Sequence, residues 1–191
     1  IHEESTGKEY RCEIAGYEKD VAHLHIMWVE EANRELPSKI YLFQGLPKGD
    51  KMELIIQKAV ELGVYEIIPV ATKRAVVKLD AKKAEAKQKR WQSIAESAAK
   101  QSRRNIIPHI HEVVGCGNGS DSDGSDDAKP AGRPVSVAVM IGPEGGFDES
   151  EIALAQENGI SPITLGKRIL RTETAGMAVL SVLMFQLEGR E

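Results

Sequence analysis

The sequence predicts an α/β fold built on a mostly parallel sheet, preceded by a short all-β portion. Three observations carry this. From Lys39 onward, apolar runs of strand length alternate with stretches of helical period. Before that point the chain is rich in β-branched and aromatic residues and has no helical periodicity. Finally, Val135 to Ile141 is a continuous apolar run, the kind buried on both faces of a parallel sheet. The chain has 191 residues, 41% apolar and 28% charged, which suits a folded protein with a real core.

Lys8 to Ile14 and Leu24 to Glu30 read as strands, separated by Gly16 and polar turns. The domain boundary is expected near residue 37, giving a β portion over 1–36 and an α/β domain over 37–191. Ile40 to Phe43 is the first strand of that domain, ending in a turn with Gly45, Pro47 and Gly49. Asp50 with Glu53 has capping-box spacing. Met52, Ile55, Ile56 and Ala59 then share one helical face, and Gly63 suits the C-terminal cap. A strand through Ile67, Ile68 and Val70 follows. The long helix from about Asp80 puts Trp91, Ile94, Ala95 and Ala98 on one side and most of its basic residues on the other. It gives way to Ile106-Ile107-Pro108.

Residues 115–134, with Gly, Ser and four aspartates, predict a flexible insert. After the strand at Val135 to Ile141 comes the loop Gly142-Pro143-Glu144-Gly145-Gly146. Asp148 and Glu151 form a second capping box, opening a helix to about Asn158, with Gly159 as terminator. Ile163 to Leu165 is expected as a strand. The last helix, about Thr172 to Leu187, is apolar nearly all round, and Ala175, Gly176, Ala178 and Ser181 would permit close approach of another backbone.

Several function classes are excluded. The apolar run Ala175 to Leu187 is too short for a membrane span. The start, Ile1-His2-Glu3-Glu4, lacks the basic flank and apolar stretch of a signal peptide, and without an initiator Met, residue 1 is read as a truncation point. Two separated cysteines, Cys12 and Cys116, give neither a disulfide scaffold nor a zinc ribbon, and a cytoplasmic location is expected. No metal is expected: His23/His25 and His109/His111 share strand faces, but no further ligand completes a site. The spacing Gly159 to Gly166-Lys167 fails the P-loop pattern, and Gly115-Cys116-Gly117-Asn118-Gly119 fails the dinucleotide fingerprint. The net charge of −4 conceals a basic stretch from Asp80 to Arg104, with eight basic residues against three acids.

Ligands of parallel α/β sheets bind at the loops beyond the carboxyl ends of strands. Two glycine-bearing loops occupy such places, residues 142–146 and Leu165 to Thr174. The second also carries Arg171, Thr172, Glu173 and Thr174.

The residues resemble a known family in several ordered runs. These are Phe43-Gln44-Gly45-Leu46-Pro47-Lys48-Gly49-Asp50-Lys51-Met52-Glu53, Gln57 to Val64, Ile68 to Arg74, Ala98 to Arg104, Ile141 to Phe147 and Leu165 to Ala175. Together they are similar to the RsmE family of 16S ribosomal RNA uridine-N3 methyltransferases of the SPOUT class. The resemblance implies a C-terminal SPOUT-type domain containing a trefoil knot, preceded by part of a PUA-like β-barrel for RNA. It also implies S-adenosylmethionine as cofactor, held by Gly142, Pro143, Gly145, Gly146, Leu165, Gly166, Ile169, Leu170 and Thr172.

By the same resemblance Arg74, Gln101 and Arg104 would contact RNA, and the partner would be 16S rRNA, within the small ribosomal subunit. A homodimer through the last helix is implied as well. Arg171 is the expected catalytic residue, because a guanidinium stays charged and can place two donors against the uracil carbonyls. The competing role for Arg171 is an ion pair with Glu173 or Glu144. The proton acceptor is open among Glu144, Glu173 and solvent. A non-catalytic rRNA-binding assembly factor with a degenerate pocket is the alternative reading, and a metabolic enzyme using another nucleotide is a third.

Overall fold

In the computed structural model, residues 2–3, 8–30, 34–77, 79–116 and 136–188 are described. Strands β1 (His2–Glu3), β2 (Lys8–Glu18) and β3 (Val21–Glu30) form an antiparallel three-stranded sheet. Gly16 does not separate two strands as expected. It lies inside β2 opposite His23, next to a register shift, and the chain reverses instead at Lys19, whose φ is 55°. The hairpin leaves Ile14, Tyr17 and Trp28 at least half exposed.

Strands β4 (Lys39–Gly45), β5 (Glu66–Ala71), β6 (His109–Ile110), β7 (Val114–Gly115) and β8 (Ser136–Ile141) make a parallel sheet in the order β6-β5-β4-β8, with β7 also paired to β5. The central strand β4 alternates inward with Ile40 and Leu42, both fully buried. Helices α1 (Lys51–Glu61), α2 (Ala81–Ser102), α3 (Glu149–Glu157) and α4 (Thr172–Glu188) complete the domain, with α1 packed between α2 and α4. Ile56, Val60, Val64, Ile67, Ile110 and Leu180 are buried to within 1% and form the middle of the core.

The expected apolar face of α1 is the buried one, comprising Met52, Ile55, Ile56 and Ala59. Its capping box is absent, for Asp50 takes the N-cap position without a side-chain hydrogen bond. Gly63, at φ 87°, carries the chain out of α1, and a Cβ there would lie 2.7 Å from Leu36. In α2, Trp91, Ala95 and Ala98 are buried, and Asp80 accepts a hydrogen bond from the Lys83 N–H at 2.8 Å. Removing that cap by Asp80→Ala is expected to destabilise the protein by about 1 kcal/mol, read by urea unfolding, with Asp80→Asn close to wild type.

The box predicted for α3 is complete. Asp148 accepts from the Ser150 N–H, while Glu151 accepts from the Asp148 N–H. Two expectations need correction. β8 was expected to be buried on both faces, yet it lies at the edge of the described sheet with Ala138 exposed. Ile163 to Leu165 forms no strand, because the segment has no ladder to join: Ile163 is 71% exposed, and Thr164 donates to the nearby Gly166 carbonyl. The expected insert falls largely on 117–135, outside the described residues, and its first residue, Gly115, belongs to β7. Among the described residues no helix is long and apolar enough to cross a membrane, and no cluster could hold a metal ion.

Candidate active site

The site is assembled where β4 and β8 end side by side. Gly45, the last residue of β4, meets the glycine loop so closely that a Cβ would sit 2.5 Å from Pro143. Within the loop, the Gly146 N–H donates to the Pro143 carbonyl at 2.9 Å, closing a turn that puts Gly146 at φ 66°. Gly145 lies against Arg74, whose carbonyl oxygen would be 3.0 Å from an added Cβ. The glycines at 45, 142 and 145 let segments pack against one another. Gly146 and Gly166 instead face open space at positive φ.

Thr172, only 5% exposed, ties these parts together. Its hydroxyl donates to the Gly142 carbonyl at 2.6 Å and accepts from Nε2 of Gln44 at 3.0 Å. Gln44 is fully buried, and Nε2 also donates to the Gly45 carbonyl, leaving Oε1 without a hydrogen bond beneath the first turns of α4. A relay therefore runs from β4 through α4 to the glycine loop. Gln44 was not expected to have a role. The only signal in the sequence was an amide inside an otherwise apolar strand, which needs partners if buried.

The acids are arranged around Lys51, the first residue of α1. Its ammonium donates to Glu144 at 2.8 Å and lies 3.5 Å from Glu173. Both oxygens of Glu144 also accept from the Lys48 N–H. Burial pushes the Glu144 carboxyl upward, but the Lys51 ammonium and the backbone donors outweigh it and hold the group below the usual carboxylate range. This pairing contributes stability above the unfolded pKa of the carboxyl and loses it as the pH falls through the folded one. Glu144 is consequently a poor proton acceptor. Oε2 of Glu173 is buried and makes no hydrogen bond.

Arg171 is exposed at the start of α4, and its carbonyl accepts from the Ala175 N–H at 2.8 Å. Among the described residues its guanidinium makes no ion pair, and the two acids considered as its partners are held by Lys51. Leu165 and Ile169 are 40% and 102% exposed, and Leu170 is partly covered. The structure thus brings Gly142, Pro143, Gly145, Gly146 and Thr172 together, while Leu165, Gly166 and Ile169 are exposed to solvent.

The residues expected to meet RNA are separated by their surroundings. Arg74 is half exposed beside Asp148 at 3.4 Å, and Gln101 is exposed on α2. Arg104 is different, with a side chain only 5% exposed. Its guanidinium clamps Glu35 and donates to the carbonyls of Val60 and Val64 at 3.1 and 2.6 Å. Those donors are committed inside the protein, so Arg104 is a structural clamp rather than an RNA-facing cation.

A family model for the RNA methyltransferase domain matches residues 34–184, from the clamp segment through most of α4. Ribosomal RNA small subunit methyltransferase E of Bacillus subtilis is 42% identical over 205 aligned positions, covering 95% of this chain and 79% of the relative. The chain belongs to that family. Among solved structures, the family member from Neisseria gonorrhoeae bound to S-adenosyl methionine is 36% identical, with a TM-score of 0.75 over 93% of this chain and 79% of that one. A crystal structure described as that of a hypothetical protein aligns with a TM-score of 0.85 at 39% identity, covering 95% of this chain and 80% of its own. The family match extends over the α/β domain as far as residue 184, including both glycine loops and the Thr172 relay.

Proposed function

We propose that this chain methylates N3 of a uridine in small-subunit (16S) ribosomal RNA, using S-adenosylmethionine. The observation that carries the reading is the Thr172 hydroxyl joining the glycine loop to the turn that bears Arg171, within a chain of the small-subunit methyltransferase family. The residues present fit the cofactor. Gly146 and Gly166 leave open space for a ligand against the backbone, Ile169 and Leu170 offer apolar surface to an adenine ring, and the acids Glu144 and Glu173 suit a nearby cationic sulfonium. We assign Gly142, Pro143, Gly145, Gly146, Leu165, Gly166, Ile169, Leu170 and Thr172 to that pocket. Arg74 and Gln101 are assigned to the RNA side.

When bound, the cofactor supplies an electrophilic methyl group. To accept that methyl the uracil would have to lose its N3 proton, which leaves an imide charge on the ring. The protein's task is to hold the uracil in line and stabilise the imide charge. Arg171, exposed and without an ion pair among the described residues, places its donors toward the uracil carbonyls. Glu144 is committed to Lys51 and the Lys48 N–H, so the proton leaves to Glu173 or to solvent.

The same proposal includes the trefoil knot in 37–191, the PUA-like character of 1–36, a cytoplasmic location and a homodimer through α4. Exposed Val182 and Phe185 on that helix support the pairing, and light scattering at micromolar concentration is expected to give a dimer mass; a monomer rejects it. Calorimetric titration is expected to show saturable binding of S-adenosylhomocysteine. Arg171→Ala should keep that affinity while slowing single-turnover formation of 3-methyluridine by about 100-fold or more. An unchanged rate removes the role assigned to Arg171, and absent binding in a folded sample favours the non-catalytic assembly factor.

A further inference from the structure

We infer that Lys51 is a positioning residue for methyl transfer: it holds Glu144 and Glu173 away from Arg171, so that the guanidinium stays available to the substrate. The inference deepens the proposed reaction and rests on it. Lys51 begins α1, Glu144 lies in the glycine loop and Glu173 in the first turn of α4, so one ammonium joins the three segments that build the site. The two acids are not equally dependent on it. Glu144 also takes the Lys48 N–H on both oxygens and keeps its place without Lys51. Glu173 has no such support, because its buried Oε2 makes no hydrogen bond and, among the described residues, its ion pair is with Lys51, at 3.5 Å.

Loss of the ammonium leaves the mostly buried Glu173 carboxylate, 14% exposed, without its counter-ion. Such a group recruits another cation within reach. Arg171 lies two residues earlier, in the turn that its own carbonyl closes with the Ala175 N–H, and it is exposed and long enough to fold back. A fork held by Glu173 presents fewer donors to a uracil, and its charge is partly cancelled. Lys51 therefore acts on the reaction through Glu173 and Arg171, without touching substrate.

The experiment compares wild type, Lys51→Met and Lys51→Met/Glu173→Gln, all confirmed as folded by thermal melts. Arg171 modification by phenylglyoxal is followed by peptide mass mapping, alongside single-turnover methylation and S-adenosylhomocysteine affinity. Lys51→Met is expected to slow Arg171 modification clearly and to cut the methylation rate about tenfold, with cofactor-product affinity held within about threefold. Removing the Glu173 charge in the double variant is expected to restore Arg171 modification to within about threefold of wild type. Unchanged Arg171 reactivity in Lys51→Met overturns the inference, as does Arg171 reactivity that stays low in the double variant. The modification readout needs neither RNA nor cofactor. A wild type that does not methylate therefore overturns the proposed reaction, whereas the Arg171 readout alone decides the pairing.

Discussion

Replacing Arg104 with alanine is expected to destabilise the protein by about 3–5 kcal/mol, the cost of breaking a buried charge pair by removing one partner. Its side chain is 5% exposed and that of Glu35 14%, so water cannot take over the lost interactions. Glu35 keeps the N–H donors of Asn105 and Ile106 but loses the guanidinium, and the Val60 and Val64 carbonyls at the end of α1 lose a donor each. Arg104→Lys retains the charge without the fork and should recover only part of the loss. Thermal denaturation is the direct measurement, with a fall of roughly 10 °C expected for a chain of this size. A variant that melts like wild type while losing RNA affinity would return Arg104 to the RNA surface.

Thr172→Val should produce the second large effect, on the cofactor site. Valine keeps the shape but cannot accept from Gln44 or donate to the Gly142 carbonyl, bonds of 3.0 and 2.6 Å in wild type. Losing a buried partner on each side costs about 1–3 kcal/mol. Because one of those partners is the glycine loop itself, S-adenosylhomocysteine affinity is expected to drop by about tenfold or more, while Thr172→Ser stays near wild type. Equal binding by Thr172→Val and wild type would show that the relay does not shape the pocket.

Local signals were mostly legible in the sequence where a few neighbouring residues decide the outcome. The alternation of β4, α1, β5 and α2, the start of α2 near Asp80 and the Asp148 box each follow from nearby side chains, whereas the box expected at Asp50 does not form. Pairings between distant segments were not legible. A charge count over Asp80 to Arg104 groups Arg104 with its basic neighbours, since Glu35 lies 69 residues away in the chain. Lys51 gave no sign of bridging two acids, because its partner Glu144 is 93 positions distant. Gly16 was read by its usual preference for turns, whereas the hairpin reverses at Lys19-Asp20 and uses the glycine within a strand. The run Ile163 to Leu165 has strand composition, but a strand also needs a neighbour, and composition does not provide one.

The bond between Gln44 and Thr172 spans 128 residues, and its consequence concerns time rather than geometry. A ribosome making this chain releases β4 and its amide long before the hydroxyl that will satisfy it. The first strands and α1 can collapse early around Ile40, Leu42 and Ile56, because their contacts are close in sequence. The pocket cannot close until the start of α4 has been synthesised and has reached the ends of β4 and β8. With the pocket assigned as proposed, cofactor affinity is acquired late in synthesis, and a nascent chain stopped before Thr172 would possess a sheet but not that site.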